Sequence, residues 1–312
     1  MGTRKVKTIV SFATGAGSAG QGRGWLSHPY GSTALALVTF TDKTQAVLWA
    51  SGGGGLELFS QTGATGAGNG HGPDVSGAAF ATFGLPTTNN NSYAAFLASM
   101  KVGVGGVAKA DAKGVFFSDG NGAYKTLARL NTDSGVNNHA KFSALKDPVL
   151  AADNGVAFAA TLKGGNVKGL AATTLWWQAP GDEPTLFAQA GAVNGGVVTD
   201  LNGAQFKTFP SLAIAANRGP VFTATLVPGK GGVTKANASG LFATDYQGAI
   251  RTLFRTGDTD IVTGKTLKSF TVLNATVGSL GVGRTFNSKQ KVAWLATFKE
   301  DKSQAIVVTE VP

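Results

Sequence analysis

FSALKDP (142–148), GVAFAATL (155–162), TTLWWQ (173–178), PGDE (180–183) and PTLFAQ (184–189) follow one another in the middle of the chain. The same order returns as FKTFPSL (206–212), GPVFTATL (219–226), GLFATD (240–245), YQGA (246–249) and IRTLFR (250–255). An aromatic-to-proline opening leads to an alternating run, a glycine-rich stretch, a second run, a polar turn and a third run. Weaker copies flank these two, about five in all. Pro86, Pro148 and Pro210 close successive openings at a spacing of 62 residues. Self-similarity at such a period means an array of small units that bury their faces on one another.

Alternation identifies each run as a strand. In GVAFAATL, Val156, Phe158 and Ala160 share one face, and Ala157, Ala159 and Thr161 share the other. The second face is small throughout, so a neighbouring sheet can approach it closely. Four strands per copy, stacked radially, predict an all-β, five-bladed β-propeller. The whole chain, 1–312, then forms one domain, with blades at about 22–61, 80–130, 142–190, 206–256 and 268–312. The last copy stops after AIVVT (from Ala305), one strand short. Val6 to Phe12 (VKTIVSF) resembles the closing strands YKTLAR and IRTLFR. We therefore expect the N-terminal strand, 5–12, to complete the last blade beside Ala305. A strand supplied from the far end of the chain can also come from another molecule, so self-association through Val6 to Phe12 is a further expectation.

Composition agrees with this class. Forty-five glycines and no long helical pattern argue against an α-rich fold. No cysteine is present, which excludes a disulfide, a thiolate zinc site and a thiol nucleophile. No apolar run is long enough for a membrane span, and no leader pattern is visible after Met1. The net charge of +10 favours anionic surfaces. The basic residues are scattered and not interleaved with aromatics, so specific nucleic-acid binding is not expected.

The aromatic-Pro openings, Ala95-Phe96, Ala157-Phe158 and the RTGDTD loop from Arg255 resemble bacterial tandem-repeat proteins named after an NxxGxxAF motif. That resemblance implies an exported, cell-surface location and supplies no site residue.

GAGSAG (15–20) fits a dinucleotide fingerprint, but QGRGWLSHPYG after it cannot start the helix that fingerprint needs. SDGNG (118–122) resembles half a calcium loop; its counterparts ASGGGG, PGDE and TDYQG make it a hairpin turn. His28, His71 and His139 lie in or near the connectors, where Asp74 and Asp147 could join them. Trp176 and Trp177 point to opposite faces of one strand, so one of them must meet something other than its own core. Trp25, Trp49, Trp176, Trp177, His28 and His139 are the possible ligand contacts, and no catalytic residue, metal or cofactor is expected. The openings contribute a single carboxylate, Asp147, where a glycosidase would need two. The expected function is a non-catalytic extracellular binding or structural module. The alternatives are a lectin-like propeller taking an acidic or neutral glycan, a filament subunit, and a five-bladed glycosidase.

Overall fold

The computed structural model describes residues 4–9, 25–28, 31–50, 56–63, 72–89, 93–118, 124–192, 200–215, 217–260, 263–272 and 290–312. These contain no α-helix and form five antiparallel sheets. The first holds β1 (Val6–Ile9), β2 (Trp25–His28), β3 (Gly31–Phe40), β4 (Gln45–Ala50) and β5 (Leu56–Gln61). The second holds β6 (Phe80–Phe83), β7 (Thr87–Thr88), β8 (Ala94–Met100), β9 (Lys113–Ser118) and β10 (Tyr124–Arg129). The third holds β11 (Lys141–Leu145), β12 (Val149–Leu150), β13 (Val156–Lys163), β14 (Thr173–Gln178) and β15 (Thr185–Gln189). The fourth runs in simple order through β16 (Phe206–Ala215), β17 (Gly219–Leu226), β18 (Ser239–Thr244) and β19 (Ile250–Arg255). The fifth has three strands among the described residues, β20 (Leu267–Thr271), β21 (Lys291–Phe298) and β22 (Gln304–Glu310).

Successive sheets stack through one recurring contact. From the second sheet to the fifth, the long strand after the opening carries an aromatic at its centre, Phe96, Phe158, Phe222 or Trp294, that is at most 6% exposed. It faces the aliphatic side of the preceding sheet. Leu35, Leu37 and Val47 of the first sheet thus cluster with Phe80, Phe96 and Phe116 of the second. Leu97 and Val115 cluster with Phe142, Phe158 and Trp176, and Leu175 with Phe206, Phe222 and Phe242. Leu241 clusters with Trp294 and Phe298. The aliphatic positions Val47, Val115, Leu175 and Leu241 are at most 1% exposed, whereas Ile306, which aligns with them in the fifth sheet, is 79% exposed. Burying a side chain of this size contributes about 1.5–3 kcal/mol, so these rows supply much of the stability. Gly240 keeps the row tight: a Cβ there would lie 3.0 Å from the Phe242 ring and 2.9 Å from the Phe254 carbonyl.

The N-terminal strand does not complete the last sheet. β1 pairs with β3, with Val6 opposite Phe40 and Thr8 opposite Thr39 across a bulge. β16 makes the same step, with Phe206 opposite Leu226 and Thr208 opposite Thr225. β1 is therefore the opening strand of the first sheet. VKTIVS (6–11) matches FKTFPS (206–211) at Lys, Thr and Ser, whereas its likeness to YKTLAR ends at the apolar residue after Lys-Thr. Residues 10–12 lie outside those described.

Polar contacts tie connectors to distant strands. Six residues before Phe80, Asp74 accepts from the Thr126 N–H at 2.7 Å and from the Thr126 hydroxyl. Six residues before Phe206, Asp200 does the same to Thr252, at 3.0 and 2.7 Å. At the turn after β18, burial alone would raise the Asp245 carboxyl. Arg251 at 2.7 Å and the N–H groups of Ala249 and Gln247 outweigh that and hold it below the usual range.

Two outcomes follow for stability. Phe222→Ala should cost about 3–5 kcal/mol in urea unfolding, against at most about 0.5 for Tyr246→Ala, whose side chain is in solvent. For Asp245 the folded pKa is depressed. Its contribution is thus present above the unfolded value of about 3.9 and is lost as pH falls through the folded one. The urea midpoint of Asp245→Asn should accordingly change less between neutral and acid pH than that of the native chain.

Candidate functional site

A cleft of about 620 Å³ lies between the fourth and fifth sheets. Its walls are the opening strand β20, the β16–β17 pair and the short turn at Lys235–Asn237. Hydroxyls dominate the lining. Ser211 and Thr223 share a hydrogen bond of 2.7 Å, and Thr256 accepts from the Ser239 N–H at 3.3 Å. Alternation puts these groups here: in β17, Phe222 and Ala224 turn into the core while Thr223 and Thr225 face outward. The half-buried Phe270 adds an apolar ring face.

Three lysines, Lys235, Lys268 and Lys299, are among the residues that line the cleft. All three residues are exposed, and none is in an ion pair among the described residues. No Asp or Glu is among the described residues lining the cleft. The lysines come from a turn and two strand ends far apart in sequence, so no local pattern announces them. The cleft therefore offers cations, hydroxyl donors and acceptors, and one ring face.

Two smaller pockets contain carboxylates. One of about 410 Å³ is lined by Asp147, Lys146, Pro148 and Phe209, with Asp147 half-buried. Another of about 400 Å³ lies beneath β22 and is lined by Phe254, Trp294 and Val307, with Asp258, Asp260 and Glu310 at its edge.

The residues singled out from the sequence do not converge. Trp176 is 2% exposed, donates to the Thr174 hydroxyl at 2.9 Å and stacks on Phe158, so it is core rather than a ligand platform. Trp177 is half-buried and packs edge-on against Phe187 between the third and fourth sheets. Trp49 is half-buried against the cluster joining the first two sheets. His139 is exposed, with Nδ1 2.5 Å from Asp133 Oδ2. Trp25 and His28 lie on β2, and their side chains are outside those described, as are His71, GAGSAG and all of SDGNG except Ser118. Asp74 holds Thr126 rather than a histidine. Among the described residues no three His, Asp or Glu gather as a metal site. No helix among them is long and apolar enough to cross a membrane.

The antiparallel sheets and the cleft between two of them define an all-β protein of stacked sheets. The chain belongs to a family of unknown function, DUF7453, whose model matches residues 31–312. No curated protein matches it. Among solved structures it is similar to an α-L-arabinanase from Penicillium chrysogenum complexed with arabinobiose, at 9% identity and a TM-score of 0.32, over 92% of each chain. It is also similar to a Trypanosoma rangeli sialidase in complex with sialic acid, at 11% identity and a TM-score of 0.34, over 92% of this chain and 43% of that one. A third is an Aleuria aurantia lectin in complex with α-methyl-L-fucoside, at 11% identity and a TM-score of 0.21, over 92% and 95%. Against the expectation of a non-catalytic module and of a chain that is no enzyme, the similar structures include enzymes.

Proposed function

We propose that the chain is a five-bladed propeller, acting outside the cell, whose cleft between the fourth and fifth sheets binds an acidic polysaccharide. The observation that carries this reading is the cleft itself, which sets Lys235, Lys268 and Lys299 around a floor of Ser and Thr hydroxyls and the Phe270 ring. A uronate or sulfated sugar has the complementary chemistry. Its anionic groups meet ammonium ions, its hydroxyls exchange hydrogen bonds with Ser211 and Thr223, and its C–H face covers an aromatic ring. The excess positive charge of the chain steers such a polymer toward the cleft over a range set by the Debye length, about 8–10 Å near physiological salt. The ring is supported by five sheets in one repeated order. Ile306 also offers the first sheet the aliphatic contact that Val47, Val115, Leu175 and Leu241 make elsewhere.

Calorimetric titration with polygalacturonate, a sulfated glycan and a neutral arabinan tests the reading. The anionic polymers should bind, with affinity falling as salt rises, and the neutral one should bind more weakly. Replacing Lys235, Lys268 and Lys299 together by Ala should cost about 2 kcal/mol, roughly 30-fold in affinity, with the melting temperature unchanged. Equal binding by the triple variant would sink this assignment. Counting new reducing ends in the same mixtures shows whether the bound polymer is cut, and Asp147→Asn shows whether Asp147 takes part.

A further inference from the structure

Every third strand but one has a fourth strand beside it. β4, β9, β14 and β18 are followed outward by β5, β10, β15 and β19, whereas β22 has no partner on its outer edge among the described residues. Its centre reads Ala305-Ile306-Val307-Val308-Thr309, with no charge before Glu310 and no proline before Pro312 to discourage pairing. Ile306 and Val308 are 79% and 59% exposed.

What belongs beside β22 is written in the complete sheets. In two of them the fourth strand begins with a large apolar residue and Thr follows two places later, Tyr124-Lys125-Thr126 in β10 and Ile250-Arg251-Thr252 in β19, whereas β5 begins Leu56-Glu57-Leu58 and β15 Thr185-Leu186-Phe187. Tyr124 pairs with Ser118, Lys125 with Phe117 and Thr126 with Phe116. Ile250 pairs with Thr244, Arg251 with Ala243 and Thr252 with Phe242. The leading residue fills a hollow lined by aromatics. Ile250 is fully buried with Phe206, Phe222 and Phe242, and Tyr124 packs on Phe59, Phe80 and Phe96. In the fifth sheet the matching hollow is the open pocket of about 400 Å³ beneath β22, lined by Phe254, Leu267, Trp294 and Val307.

β22 itself carries this pattern, as Val307-Val308-Thr309. Val307 and Thr309 also stand at the third-strand positions of Phe242 and Thr244, because Trp294 pairs with Val307 as Phe222 pairs with Phe242. Two copies of β22 running antiparallel, with Val308 opposite Val308, therefore reproduce the register of the complete sheets. Val307 of each copy lies opposite Thr309 of the other, as Ile250 lies opposite Thr244, and enters the other's pocket. Glu310 faces Ile306 and Gln304 faces Pro312, so no like charges meet. We infer that the chain forms a two-fold dimer in which each β22 serves as the fourth strand of the other copy's last sheet. The expectation of self-association through Val6 to Phe12 gives way to this one, since Val6–Ile9 is already paired within its own first sheet.

The chain has no cysteine, so one introduced thiol reports the register. Residues directly opposite in an antiparallel pair have Cβ atoms about 4.5–5.5 Å apart, close to what a disulfide spans. Val308→Cys should be captured by mild oxidation as a covalent dimer, and Tyr246→Cys, exposed in the turn after β18, should not. Light scattering of the native chain should give twice 31.6 kDa. Val308→Lys sets two ammonium groups face to face and should weaken the dimer at least about tenfold, with an unchanged circular dichroism spectrum. A native chain that stays at 31.6 kDa over a concentration series overturns the inference. So does a dimer that Val308→Lys leaves intact, or a Tyr246→Cys variant that cross-links as fast as Val308→Cys. None of these outcomes depends on glycan binding at the lysine cleft.

Discussion

An aromatic ring at the centre of one sheet, pressed on the aliphatic face of the sheet before it, is the contact on which the molecule rests. A single sheet of three to five strands leaves its apolar faces unburied until a neighbour stacks on it. Phe96, Phe158, Phe222 and Trp294 supply that cover from outside by inserting into the preceding sheet. The contact explains the composition: rings and aliphatics need only alternate with small residues such as Ala95 and Ala157, which are fully buried. It also explains how the fold dispenses with disulfides. Each interface resembles the interior of a small domain, and the chain repeats it from one sheet to the next.

The contact is also what made the fold legible. Period-two alternation around Phe158 and Phe222 marks the second strands, and the Gly-rich and polar stretches mark their ends. The fate of the N-terminal strand was not legible in the same way. Lys-Thr between apolar residues occurs both in opening strands (Lys207-Thr208) and in closing strands (Lys125-Thr126). Pairing chooses between them: the bulge between Val6 and Thr8 is the one between Phe206 and Thr208. Ser11, aligned with Ser211, was the signal in the sequence that could have settled the choice.

The candidate site was less legible than the fold, for a physical reason. Tryptophans stand out in a sequence because they are rare, yet here Trp176 and Trp177 spend their surface on packing. Lysines on exposed turns and strand ends do not stand out. Lys235, Lys268 and Lys299 acquire a common meaning only once two neighbouring sheets bring them round one cleft. Residues contributed by two different repeats carry no repeat signature. Asp74 and Asp200 differ in this, since each stands 52 positions before the threonine it holds in its own sheet.

Those two aspartates bear on how such a chain can change over time. Each grips its own sheet's last strand six residues before the first strand begins, so the backbone enters the sheet along a path set by the grip. Upstream, the Gly63 and Gly191 N–H groups donate to the Phe80 and Phe206 carbonyls at 2.8 Å, so the entry to the first strand is held from both described ends of the connector. Chain length added between those two anchors is thereby uncoupled from the stacking of the sheets. Insertions, whole binding loops or a grafted domain placed there would leave the aromatic rows in register. The repeat can thus diversify at these connectors while its core stays under strict selection, and the same two connectors are the natural places for an engineer to add a new segment.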